Sequence, residues 1–210
     1  MKTKIFGKWW FWVIIVILIV AVASSGNSDD MDESKDKPND AVVEQDDNGN
    51  STDTQTDDSI PTEYKSALKK GKSYSDTMHM SKQGIYDQLT SEYGEKFSAE
   101  AAQYAIDNLD VDWKENALKK AKSYSDTMHM SKAGVYDQLV SEHGEKFTEE
   151  EAQYAVDNVK ADWKANALAK AKSYQKTMSM SPEAIRDQLT SEYGEKFTQE
   201  EADYAIENLD

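Results

Sequence analysis

No cysteine occurs among the 210 residues. Its absence excludes disulfides, zinc thiolate sites, thiol nucleophiles and a lipid-modified N-terminal cysteine. Histidine is nearly missing as well. His79, His129 and His143 are the three present, and no nucleophile–base pair can be built on them. His143 stands where Tyr93 and Tyr193 stand in equivalent stretches, so no catalytic role is kept across them. Positive charge is in deficit: 24 Lys and Arg against 40 Asp and Glu, for a net charge of −16. An acidic surface argues against phosphate backbones and anionic lipid as partners, and for basic ones.

What is present is repetition. SYSDTMHMSK occurs at Ser73–Lys82 and Ser123–Lys132, and a diverged copy, SYQKTMSMSP, at Ser173–Pro182. GEKF recurs at the same interval, at Gly94–Phe97, Gly144–Phe147 and Gly194–Phe197. The boundaries read as repeats at 61–111, 112–161 and 162–210. A tandem array without a reaction centre presents a surface and multiplies it. Units of about 50 residues lie near the lower limit for a self-supporting core, so neighbours are expected to share apolar surface.

The first 23 residues differ in kind. Lys2, Lys4 and Lys8 precede an unbroken apolar run from Trp9 to Ala23. As a helix this run spans roughly 22 Å, and the flanking residues can extend it toward a hydrocarbon core of about 30 Å. The lysines would stay in the cytoplasm, with Trp9, Trp10 and Trp12 at the lipid–water interface. This predicts a single-pass membrane anchor with the repeats on the extracytoplasmic face. Ala21-Val22-Ala23 also fits a cleavage site, so a removed signal peptide is the rival reading. Residues 24–60 carry 12 acids and 2 lysines and cannot bury a core. They are expected to be a disordered acidic linker with a span of roughly 35 Å.

Each repeat reads as three helices, making the chain all-α. In repeat two Asp112 is a candidate N-cap, with Glu115 completing a capping box. Trp113, Ala117, Ala121, Tyr124 and Met128 then fall on one face. Ser131 caps the second helix, and Ser181-Pro182-Glu183 does the same in repeat three. Met80, Met130 and Met180 just before the caps, with Ile85, Val135 and Ile185 four residues after them, have staple spacing. Gly94, Gly144 and Gly194 are expected to end the second helix in a left-handed cap. Thr148 with Glu151, and Thr198 with Glu201, open the third helix as capping boxes. No Gly or Pro separates Asn158 from Trp163, which leaves open a continuous helix into the next repeat or a short break at Asp162. In repeat one Glu63 replaces tryptophan and Gly71 replaces alanine, so its first helix is expected to fray.

Met78-His79-Met80 and Met128-His129-Met130 have soft-metal ligands, but Ser179 replaces histidine in repeat three, and core packing explains the methionines. No metal or cofactor site is assigned. Three short helices with a glycine turn also suggest a helix-turn-helix. A DNA-reading helix needs basic residues to hold phosphates. Here the third helix offers Glu149, Glu150 and Asp157, then Glu200, Asp203 and Glu207, which would repel a duplex. The candidate surface is one for a protein. It comprises Tyr86, Tyr136 and Arg186, expected to be exposed because one position accepts both tyrosine and arginine, together with those acids and Glu201.

The segments YAVDNVKADWKANALAKAKSY and MSKAGVYDQLVSEHGEKFTEEEAQYAVDNV, with their copies, resemble the Ltp-type host cell surface-exposed lipoproteins. The resemblance covers 62–210 and recurs three times. It implies tandem three-helix modules of helix-turn-helix type, found on temperate phages and in Gram-positive bacteria. It also implies superinfection exclusion: blocking DNA injection by an incoming phage, through its tape-measure protein. No binding residue follows from the resemblance. The missing lipidated cysteine departs from the family and leaves anchoring to the helix at 5–23. The alternative is a host envelope protein that binds a surface protein or wall component.

Overall fold

The computed structural model describes residues 59–209. The expected membrane helix and all but the last two linker residues lie outside that range. Among the described residues the regular elements are nine α-helices, none long and apolar enough to cross a membrane. Repeat one holds α1 (Thr62–Met78), α2 (Lys82–Thr90) and α3 (Ala99–Asn108). Repeat two holds α4 (Trp113–Met128), α5 (Lys132–Val140) and α6 (Glu149–Asn158). Repeat three holds α7 (Trp163–Met178), α8 (Pro182–Thr190) and α9 (Gln199–Glu207).

In every repeat the first and third helices pack against each other, and the second packs on both. The seam between first and third helices is alanine. Ala67, Ala101, Ala102 and Ala105 are fully buried in repeat one, as are Ala117, Ala121, Ala152 and Ala155 in repeat two. Methyl side chains let two helices approach closely. The second helix supplies the bulk through Ile85 and Leu89, Val135 and Leu139, Ile185 and Leu189, all with no exposure.

The expected N-caps form, and of the three expected capping boxes one does not close. Ser81, Ser131 and Ser181 each accept from the backbone N–H three residues on. Thr148 with Glu151 and Thr198 with Glu201 form reciprocal capping boxes. Asp112 caps α4, but Glu115 turns to Lys119 (3.8 Å) and does not complete a box. In repeat one Ala101 stands at the box position, and Glu63 of α1 accepts from the Ser98 N–H at 2.8 Å. That contact gives Glu63 its role at the tryptophan position. The expected fraying of α1 is not seen: the helix runs 17 residues from Thr62. Gly71 is buried, and a Cβ there would lie 3.2 Å from Leu109, so closeness favours glycine at that seam.

The glycine expectation is overturned. No described glycine has a positive φ, and the second helices stop at Ser91, Ser141 and Ser191 in extended conformation. Gly144 is required by proximity: a Cβ would sit 2.5 Å from the Gln138 carbonyl oxygen. The left-handed residues are His79, His129 and Ser179, which end the first helices, and Lys96, Lys146 and Lys196. The N–H of His129 and that of Met130 return to Ser125 and Tyr124, closing the helix end. Met78, expected on the core side, is left exposed by this turn, as is its counterpart Met178, while Met80, Met130 and Met180 pack on the cores. Between repeats the chain breaks. Leu109 and Val159 are extended, and Asp112 and Asp162 cap the next helix.

Every residue of GEKF has a distinct contact. Its glycine allows the close backbone approach. Its glutamate accepts from tyrosine and lysine of the first helix: Tyr74 and Lys70 on Glu95, Tyr124 and Lys120 on Glu145, Tyr174 and Lys170 on Glu195. Its lysine reaches the preceding repeat, pairing Lys146 with Asp87 and Lys196 with Asp137. Phe147 and Phe197 are buried. Burial first, and the adjoining glutamate next, push the Tyr124 and Tyr174 hydroxyls well above the ordinary tyrosine value. The hydrogen bond from Tyr74, then that from Lys70, holds Glu95 below the ordinary carboxylate range.

The two junctions between repeats are copies of each other. Asn116 Nδ2 donates to Ser75 Oγ (2.9 Å) and to the Met80 carbonyl (3.1 Å). Asn166 does the same with Ser125 (2.9 Å) and Met130 (3.0 Å). Ser81 Oγ donates to the Glu145 carbonyl at 2.5 Å, and Ser131 Oγ to that of Glu195 at 2.6 Å. Trp113 packs on the core of repeat one, and Trp163 on that of repeat two.

Three outcomes are expected in urea unfolding. Gly144→Ala should cost about 1–3 kcal/mol, and Gly144→Asn no less; a left-handed cap would tolerate asparagine. Asn116→Ala strips a donor from two partners of a buried network and should cost about 1–3 kcal/mol. Because folding raises the Tyr124 and Tyr174 values, their stabilising contribution is complete below the unfolded value of about 10 and is lost as pH rises through the folded value. Glu95, lowered, contributes above the unfolded value of about 4.3 and loses that contribution as pH falls through its folded value. The unfolding midpoint should therefore fall at both ends of a pH series, and Tyr124→Phe should shrink the alkaline fall.

Candidate partner-binding surface

The structure divides the expected surface residues into several environments. Tyr86 and Tyr136 are half-buried and pack on their repeats' cores, contrary to the expected exposure. Arg186, at the same position, is also half-buried and pairs with Asp203 of α9. Tyrosine and arginine exchange here because both lay a long body along apolar surface and bring a polar tip to the edge. The neighbouring Thr90 and Thr190 bond back to the carbonyls of residues 86 and 186.

The acids are likewise unequal. Glu150 pairs with Lys114 at 2.6 Å, and Glu200 with Lys164 at 2.7 Å. Asp157 accepts from Lys132 (2.8 Å) and Gln153 (2.7 Å). Asp203 holds Arg186 and Gln199. Glu201 is committed to its capping box. Glu149 and Glu207 are exposed and make no ion pair among the described residues. The hydrogen bond from Lys114 lowers Glu150, and the same bond raises Lys114; Glu200 and Lys164 repeat the pattern. These pairs are exposed, and pairs of that kind contribute little to stability.

Folding builds a cluster from these residues. Lys114 Nζ lies 5.7 Å from the ring centre of Tyr154, as well as on Glu150. Lys164 stands in the same way over Tyr204 and on Glu200. An open depression beside the second cluster is lined by Trp163, Lys164, Glu200 and Glu201. In repeat one Tyr64 takes the lysine's place and packs on Tyr104, ring centres 5.2 Å apart. Glu100, the counterpart of Glu150, is therefore left without a cation among the described residues.

The most exposed aromatics fall outside the expected set. Tyr93 and Tyr193 are 100% and 101% exposed, in the turn before each GEKF glycine. His143 fills that place in repeat two and is also exposed. Each is preceded by an exposed glutamate: Glu92, Glu142 or Glu192. No sequence signal marks this exposure: each tyrosine falls four residues after a buried leucine, in register with the apolar face, and it turns outward because the second helix stops earlier, at Thr90 or Thr190. Attention to helix faces alone passes over them.

The repeats have counterparts among known proteins. The family model described as host cell surface-exposed lipoprotein matches residues 62–109, 112–159 and 162–209, more than half of the chain. No curated protein matches. Among solved structures, the chain is similar to Ltp, a superinfection exclusion protein from the Streptococcus thermophilus temperate phage TP-J34. The identity is 48%, over 48% of this chain and 99% of that one, with a TM-score of 0.44. The chain belongs to the host cell surface-exposed lipoprotein family, with one family unit in each of its three repeats.

Proposed function

We propose that this chain is a binding protein of superinfection exclusion, held at the cell membrane by its N-terminal apolar run with the repeats on the extracytoplasmic face. It meets a basic segment of an incoming phage's tail, with the tape-measure protein as the partner, and stops DNA entry. The observation that carries this reading is the distribution of charge. The lysines and Arg186 largely engage acids of the same chain, whereas Glu92, Glu100, Glu142, Glu149, Glu192 and Glu207 are exposed with no cation on them among the described residues. A basic partner would complete them. Tyr93, His143 and Tyr193 beside three of these acids add flat rings on which a guanidinium can rest. The family supports a cell-surface setting. In place of its lipid, Lys2, Lys4 and Lys8 with the run from Trp9 to Ala23 supply the anchor.

The test is phage challenge of a sensitive Gram-positive host expressing the chain, with adsorption and intracellular phage DNA scored separately. Normal adsorption with DNA entry blocked is the expected result. Replacing Glu92, Glu142, Glu149, Glu192 and Glu207 by Gln should release the block at equal surface level, because none of them caps a helix or joins a repeat. Normal DNA entry across a broad phage panel would overturn the reading in favour of a host envelope-binding role.

A further inference from the structure

Repeats two and three each hold a lysine of their own in the same way. Lys114 on α4 meets Glu150 and Tyr154 of α6, and Lys164 on α7 meets Glu200 and Tyr204 of α9. The ammonium lies 2.6 Å and 2.7 Å from the two carboxylates, and 5.7 Å from the ring centre in both copies. The carboxylate neutralises the charge and the ring face attracts the cation. The arrangement is a receptor for a lysine side chain, filled from within the repeat.

Repeat one keeps the receptor and lacks the lysine. Glu100 and Tyr104 stand at the positions of Glu150 and Tyr154, and Tyr64 stands at that of Lys114. Tyr64 lies against Tyr104, ring centres 5.2 Å apart and planes tilted by 38°, and also packs on the core. Glu100 is exposed, and its carboxylate has no hydrogen bond or ion pair among the described residues. Glu63, at the tryptophan position, brings a second carboxylate to this end of the repeat, where it accepts from the N–H of Ser98, the cap of α3. Two carboxylates and two rings therefore gather where the other repeats seat a cation.

We propose, resting on the basic partner of the functional reading, that repeat one receives a lysine side chain of that partner on Glu100 and against the tyrosine pair. In repeats two and three a partner's lysine must displace one already tethered, and a tethered ligand competes at high effective concentration. Repeat one has no such competitor among the described residues, so the partner's lysine is taken there first. The occupant comes from another protein, because residues 24–60 of this chain carry 12 acids against 2 lysines and would be repelled by Glu63 and Glu100.

The test uses the full chain in mild detergent and, as probe, a short capped peptide of alternating lysine and serine. A water-soluble carbodiimide joins a lysine amine to a carboxylate that it touches, and mass spectrometry maps the adducts. Peptide adducts on Glu100 should exceed those on Glu150 and Glu200 several-fold. Tyr64→Lys should bring Glu100 down to their level, and Lys114→Tyr should raise Glu150. Lys114→Tyr leaves the core contacts of Tyr64 in place, so its result holds even where Tyr64→Lys loosens repeat one. The chain with both changes keeps the original composition and net charge, and in it the preferred adduct should move from Glu100 to Glu150. Equal adducts on the three glutamates of the unaltered chain, or a preference that stays on Glu100 in the exchanged chain, would overturn the site. Phage challenge separates this result from the functional reading. Even labelling of a chain that blocks DNA entry overturns the site alone. Preferred labelling of Glu100 on a chain that does not block entry overturns the functional reading and leaves the lysine site.

Discussion

Repeats one and two each leave part of the core uncovered, and the next repeat covers it. Most other features follow from that constraint. Alanines along the first and third helices bring those helices close but bury little area per residue, and hydrophobic stabilisation scales with area. The second helix contributes only two large, fully buried side chains per repeat. A unit of this size needs a neighbour. Trp113 and Trp163 supply the apolar cover, and Asn116 and Asn166 supply hydrogen bonds on polar groups that would otherwise be buried unpaired.

The same constraint explains what the three copies share. GEKF recurs in all three copies, and in repeats two and three all four of its residues are held to structural roles. The glycine permits close backbone approach, the glutamate attaches the turn to the first helix, Lys146 and Lys196 bridge to the preceding repeat, and the phenylalanine packs on the core. The residues exposed around it are not shared in the same way. Positions 93, 143 and 193 carry Tyr, His and Tyr, and positions 99, 149 and 199 carry Ala, Glu and Gln. The cluster of Lys114 and Lys164 becomes a pair of tyrosines in repeat one. The array therefore presents three related but unequal faces. That arrangement suits one extended partner touching several modules better than three equal ligands.

The hydroxyl caps, the capping boxes of Thr148 and Thr198 and the proline start of α8 were legible because each is a local signal within four residues. The glycine role was not. A left-handed end and a close approach both select glycine, and only the fold distinguishes them. The left-handed helix ends fall on histidine and serine, residues that carry no such signal. The surface was misread for a similar reason. Exchange of tyrosine for arginine suggested exposure, but both reach from a half-buried site. Glu150 and Glu200 looked free because their lysines lie 36 residues away, on another helix. Sequence spacing reveals i,i+4 pairs and is silent on pairs made by packing.

Those long-range pairs change how an acidic surface acts. The repeats 61–210 hold 28 acids and 19 bases, and most of the bases sit on an acid of the same chain. At physiological salt an unpaired carboxylate is felt over only about 8 Å, so attraction is local and each contact weak. Useful affinity then depends on several contacts being made together, which requires that the modules keep a set spacing. A flexible string of repeats would lose most of that advantage. The amide, hydroxyl and lysine links repeated at both junctions provide the spacing. Under the proposed function, what makes each repeat foldable would also let weak, separate acidic faces act as one.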